Sequence, residues 1–218
     1  MHKKSRLEER IEACGNLVTV ADLSDKNMKR AALTPEYLDI NGIFGNDNPL
    51  HIEVGCGKGK FVCEMAKANP DINFVAVEKI SNVLIEALER AKDENIKNVY
   101  FLNCAAEVLQ KYFKPGSAKL IYLNFSNPLP KEGYKKQRLT HPRFLGIYKG
   151  LLSADGKIIQ KTDDYDFYLF SLESYKEAGF KILETNKNYL CGEGDVETEH
   201  EKKFKQAGKR IYRIIAEV

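Results

Sequence analysis

Glu53 closes an apolar segment and is followed by Gly55-Cys56-Gly57-Lys58-Gly59, so a carboxylate precedes glycines in strict alternation. Glycine lacks the β-carbon that bars other residues from left-handed backbone, so such a turn bends sharply and brings bare amides close to a ligand. A second carboxylate, Glu78, ends the next apolar segment. It stands about 20 residues on, where an acidic side chain takes the ribose hydroxyls of a bound nucleoside. Farther along, Asn127-Pro128-Leu129-Pro130 follows the apolar run Lys119 to Phe125. Its prolines cannot donate to helix or sheet, which leaves Asn127 and Leu129 in an extended, exposed turn. Lys131, Lys135, Lys136, Arg138, His141 and Arg143 come next, interleaved with Tyr134 and Phe144. That mixture grips phosphates and stacks on bases. A charge run more often only faces water, and the upstream glycine turn with its two carboxylates argues for the functional reading.

Strands and helices alternate along the chain with little slack. Apolar spacing predicts strands over Leu50–Val54, Asn73–Val77, Val99–Leu102, Lys119–Phe125, Gly156–Thr162, Phe180–Glu184 and Arg210–Ala216. Helices are expected from the glycine turn through Lys67, over Ile80–Asp93, Ala106–Phe113 and Pro142–Leu152, and over Asp164–Ala178, closed by Gly179. Strand after helix after strand dictates an α/β fold: a mostly parallel seven-stranded sheet covered by helices on both faces, with ligands at the carboxyl ends of the strands. Glu53, Glu78, Asn127 and Asp163 all fall at such ends. Residues 47–218 form this domain. Residues 1–46 are an arm with one helical stretch near Arg6–Cys14, and Cys191–Val196 has no assigned element.

The chain has 218 residues, 43% hydrophobic and 30% charged, which suits one enzyme domain with a sizeable core. No apolar run approaches a membrane span and the N-terminus has no hydrophobic segment of an export signal, so a soluble, cytoplasmic protein is expected. The five cysteines never form C-x-x-C and the four histidines are scattered, which excludes a disulfide framework and points to no metal. A net charge of +3 does not by itself indicate a polyanion partner; the clustering of cations between Lys131 and Arg143 does.

Lys60 stands where a dinucleotide fold would need its third glycine. G-x-G-x-G after an acidic strand residue resembles instead the S-adenosylmethionine-dependent methyltransferases with a Rossmann-like sheet. More narrowly, the chain resembles the bacterial tRNA (guanine-N7-)-methyltransferase family, on Glu53 to Gly59, Val75 to Glu78, Asn124 to Lys131, Lys136 to Phe144, Lys161 to Asp163 and Thr198 to Glu201. The resemblance implies S-adenosylmethionine as cofactor and tRNA as partner, in a monomer or homodimer. It implies cofactor contacts at Glu53, Gly55, Gly57, Gly59, Glu78, Ala105 and Asn127, with Asn127 at the catalytic position. Substrate contacts are implied at Lys131, Asp163, Thr198, Glu199, His200 and Glu201.

Five positions depart from the family pattern: Asn127 and Ala105 replace carboxylates, Leu129 an indole, His200 a tyrosine and Gln137 a basic residue. Guanine N7 carries a free lone pair, so its methylation needs no general base and rests on alignment of the reactants. An Asn at 127 therefore damps the reaction without abolishing it. Asn-Pro-Leu-Pro also resembles the corner with which amino methyltransferases grip an exocyclic amine. A methyltransferase for another base or small molecule, and a non-catalytic RNA-binding relative, are the alternatives.

Overall fold

The computed structural model describes residues 3–21, 34–192 and 195–218, the side chains of residues 3–5 and 199 excepted. Its strands are β1 (Val18–Val20), β2 (Leu50–Val54), β3 (Asn73–Val77), β4 (Val99–Asn103), β5 (Ala118–Asn124), β6 (Leu152–Thr162), β7 (Lys181–Asn186) and β8 (Tyr212–Glu217). They form one sheet in the order β1-β4-β3-β2-β5-β6-β8-β7, parallel from β1 to β6 and antiparallel where β8 pairs with β6 and β7. The α/β class matches the expectation, but among the described residues the sheet has eight strands, not seven. The additional strand is Val18–Val20, which the arm lays against Phe101–Asn103 of β4. Three residues carry no readable alternation, so only the pairing reveals them.

β2, β3 and β4 are buried at every position, as befits parallel strands with helices on both faces, whereas edge strand β7 alternates exposed and half-buried residues. The helices are α1 (Lys3–Glu12), α2 (Ile40–Phe44), α3 (Lys60–Ala68), α4 (Ser81–Asp93), α5 (Leu109–Tyr112), α6 (Pro142–Leu151), α7 (Tyr165–Glu177) and α8 (Glu199–Gln206). α1 docks on α4 through Leu7, Ile11 and a two-pronged Arg10–Glu89 pair of 2.7 and 2.6 Å. Pro142 opens α6 where its missing N–H costs nothing, and Asp164 caps α7 by accepting from the Phe167 N–H at 2.7 Å. β6 begins at Leu152 rather than Gly156 because a register shift between Ala118 and Leu120 lets residues 152–156 stay in the sheet.

Candidate active site

Strand register decides which polar side chains meet. Glu53 lies opposite Tyr122 of β5, and Asn124, two residues farther on, lies opposite Lys161 of β6. Because side chains alternate along a strand, Glu53, Tyr122, Asn124 and Lys161 share one face at the carboxyl end of the sheet. There the Asn124 amide donates to Glu53 Oε1 at 3.0 Å, while the buried Glu53 Oε2 has no hydrogen-bond partner. Burial pushes the Glu53 carboxyl up to about 7, against the pull of the Asn124 amide and the Lys161 ammonium. An orphaned carboxylate oxygen at the floor of a cleft is a seat for a donor on a ligand.

The glycine turn is shaped for close approach. Gly55, Gly57 and Gly59 adopt φ of +84°, +57° and +73°. The Gly55 and Cys56 N–H groups donate to the Val77 carbonyl at 2.8 and 3.0 Å, tying the turn to the end of β3. Gly57 N–H donates to Glu78 Oε2 at 3.2 Å, and Ile80 N–H to Glu78 Oε1 at 2.9 Å, so that carboxylate is already oriented over the turn. A β-carbon on Gly59 would stand 2.4 Å from Ala87 Cβ, whereas one on Gly57 would meet nothing within 4 Å. Gly59 thus serves the packing of α3 on α4, and Gly57 leaves open space.

Two chambers flank the end of β5. One, of about 470 Å³, is lined by Glu53, Gly57, Phe61, Asn124, Thr198 and His200; the other, of about 410 Å³, by Glu78, Cys104, Ala106, Asn127, Leu129 and Leu139. Gly55 and Phe125 line both, so the two chambers adjoin at those residues. Phe125 and Leu129 take left-handed φ of 49° and 45°. Leu129 is held there on both sides: its N–H donates to Asn127 Oδ1 at 3.1 Å, and its carbonyl accepts from Arg138 Nη2 at 3.2 Å. Arg138 is itself buried, with its guanidinium 4.4 Å from the centre of the Phe170 ring.

The expected basic ribbon is therefore only partly a surface. Arg138 faces inward, Phe144 is buried, Arg143 pairs with Glu107 at 2.7 Å, and the His141 ring accepts from the Arg143 N–H at 3.2 Å to start α6. Lys135 pairs with Glu132 at 2.6 Å, while Lys131, Lys136 and Tyr134 are exposed. Amphipathic burial of Arg138 and Phe144 is invisible in a run of charges, because their partners come from α7 and the core.

The remaining predicted residues separate into lining and supporting positions. Thr198 and His200 line the Glu53 chamber, and the His200 ring stacks on Phe125 at 5.5 Å and 20°. Thr198 and Glu201 bond reciprocally as a capping box, with Glu201 fully buried toward Lys161. Glu199 opens α8, and its side chain lies outside the described residues. Lys131 and Asp163 line neither chamber; Asp163 accepts from Lys209 at 2.8 Å. Ala105 stands between Cys104 and Ala106, which line the Glu78 chamber, but does not itself line either chamber. Asn124, Phe125 and Lys161 lie within motifs of the resemblance, but the sequence assigned them no role in the site. Helix α8 had a local sign, Thr198-x-x-Glu201, which is the capping-box pattern. Among the described residues, no group of three His, Cys, Asp or Glu could hold a metal ion.

The chain is similar to known methyltransferases. The family model described as "Putative methyltransferase" matches residues 47–214. The tRNA (guanine-N(7)-)-methyltransferase of Geobacillus thermodenitrificans is 45% identical over 178 residues, covering 80% of this chain and 82% of that protein. The enzyme of the same name from Bacillus subtilis is 43% identical over 181 residues, covering 81% and 84%. A solved structure titled as an antibiotic-related methyltransferase superposes with a TM-score of 0.65 at 17% identity, over 86% of this chain and 98% of that one, which is a likeness of fold.

Proposed function

The chain belongs to the bacterial tRNA (guanine-N7-)-methyltransferase family, and from that membership we propose that it transfers a methyl group from S-adenosylmethionine to N7 of a guanine in tRNA. The observation that carries the reading is the buried, unpartnered Glu53 Oε2 beside a left-handed glycine turn whose amide holds Glu78. These donors and acceptors suit a nucleoside with a cationic amino-acid arm: Glu53 for the arm, Gly55 and Gly57 for close backbone approach, and Glu78 for the ribose hydroxyls. S-adenosylmethionine supplies an electrophilic methyl group on a sulfonium. The protein's part is to hold the acceptor in line with it, since N7 needs no base. Asn127 stands at the lip with a polar contact but no charge. Lys131, Thr198 and His200 are the candidates for contact with the RNA, and Asp163, Glu199 and Glu201 support or adjoin them. Ala105 adjoins the nucleoside chamber without lining it.

All five cysteines are free thiols, which suits the reducing cytoplasm. No helix among the described residues is long and apolar enough to cross a membrane. We place the methyltransferase domain at residues 47–218, the arm adding β1 to its edge, and the chain as a monomer or homodimer, which sedimentation separates. The decisive experiment is incubation with labelled S-adenosylmethionine and unmodified tRNA, followed by nucleoside analysis. 7-Methylguanosine is expected. Label on an exocyclic amine would transfer the chain to the amino-methyltransferase reading, and no labelled nucleoside would end the proposal.

A further inference from the structure

Lys161 has its side chain 1% exposed on β6, with its ammonium 2.7 Å from Asp195 Oδ2 and 3.4 Å from Glu201 Oε2. The Tyr189 and Phe61 rings lie 4.9 and 5.7 Å from it, and Tyr189 donates its hydroxyl to the same Asp195 oxygen. Burial works against ionisation of Asp195, but the Lys161 ammonium together with hydrogen bonds from the Tyr189 hydroxyl and the Val196 N–H holds that carboxyl below its usual range. A buried ammonium persists only where anions surround it, so the arrangement holds or fails as a unit.

What it holds is the wall of the cleft. Glu201 Oε2 also accepts the Thr198 N–H at 2.8 Å, so one carboxylate joins the ion pair to the start of α8. His200, between those two residues, stacks on Phe125. The Phe125 N–H in turn donates to the Lys161 carbonyl at 2.8 Å. Lys161 therefore grips both members of the stack, His200 through its side chain and Phe125 through its main chain.

We propose that Lys161 is a positioning residue that sets the His200–Phe125 stack as the wall met by the RNA base, by docking residues 195–201 onto the end of β6. The inference rests on the tRNA reading for the identity of the base; the assembly of the wall does not.

Two variants test it. Lys161→Met removes the ammonium, and Asp195→Asn loosens the same link from its half-exposed end, where folding is less at risk. In both, the KM for tRNA is expected to rise about tenfold while kcat changes by less than about threefold, because a lost binding wall acts on ground and transition states alike. S-adenosylmethionine affinity, measured at pH 8, is expected to stay within about threefold, and the double variant to be no worse than Lys161→Met alone. Independently of activity, the His200 ring protons should move in the NMR spectrum of Asp195→Asn as the Phe125 ring departs. An unshifted His200 in folded Asp195→Asn would overturn the inference, as would an unchanged KM or equal losses of kcat and cofactor affinity. Wild-type protein that makes no 7-methylguanosine would instead undo the functional reading and leave the His200 measurement as the test of the wall.

Discussion

Gly55, Gly57 and Gly59 turn the chain through left-handed backbone with residues made for it, whereas across the cleft Phe125 and Leu129 enter the same region carrying side chains that resist it. A non-glycine residue there costs about 1–2 kcal/mol, so something beyond the local sequence must hold it. On the glycine side the turn is tied to the end of β3 by amide bonds to the Val77 carbonyl and the Glu78 carboxylate. On the lip side the Lys161 carbonyl holds Phe125, and the Asn127 side chain and the buried Arg138 hold Leu129. Residue type suits one half of the cleft to its backbone, whereas the other half depends on those hydrogen bonds to keep side-chain-bearing residues in place. The acceptor-facing half should accordingly be the more sensitive to loss of a single hydrogen bond.

The largest expected effect concerns the glycine side. Gly59→Ala drives a β-carbon into Ala87 at a left-handed position, and should cost about 3 kcal/mol and lower Tm by roughly 6–12 °C. Gly57→Ala, with open space around it, should cost only the backbone strain of about 1–2 kcal/mol. Equal losses in thermal melts would show that the contact with α4 is not what demands glycine at 59.

A pH titration probes the same half. Folding raises the Glu53 carboxyl from its ordinary 4.5 to about 7. Its contribution to the stability of the free protein is therefore complete below pH 4.5 and lost as pH rises through 7. A cationic ligand that needs the carboxylate behaves oppositely. Its affinity should fall about tenfold per pH unit below 7, or about 2.7 kcal/mol by pH 5, with one proton released on binding. Calorimetry of S-adenosylmethionine across that range should show this slope, and Glu53→Gln should flatten it. A flat profile for the wild type would remove Glu53 from the cofactor contacts.

Glu78→Ala should weaken the cofactor by about 1.5–3 kcal/mol, the worth of hydrogen bonds to a charged group. Unchanged affinity would sink the ribose assignment.

On the lip, Asn127→Asp should raise the single-turnover rate about tenfold, roughly 1.4 kcal/mol, if the position lies beside the sulfonium. A slower variant would mean that the amide itself is what the acceptor needs. The smallest effect belongs to the exposed cations. Replacing Lys131 and Lys136 by Ala should reduce the slope of log affinity for tRNA against log salt by about 1 to 2. If affinity and slope stay put, that stretch only faces water.

The mostly parallel sheet, all its strands but Val18–Val20, the carboxylates at the strand ends and the glycine turn were readable from the chain alone, because each depends on periodicity or on a residue type that few backbone states admit. Leu50–Val54 and Asn73–Val77 match the expected strands to the residue. Folding in three dimensions settled which charges are surface and which are scaffold. Lys131 and Arg138 look alike in a basic run, yet one is exposed and the other lies over Phe170. Lys161 and Asp163 are neighbours, yet one is buried toward Asp195 and Glu201 while the other pairs with Lys209. Burial of a charge depends on partners supplied from far along the chain, for Lys161 34 and 40 residues away, and nothing in the local spacing encodes where those partners arrive.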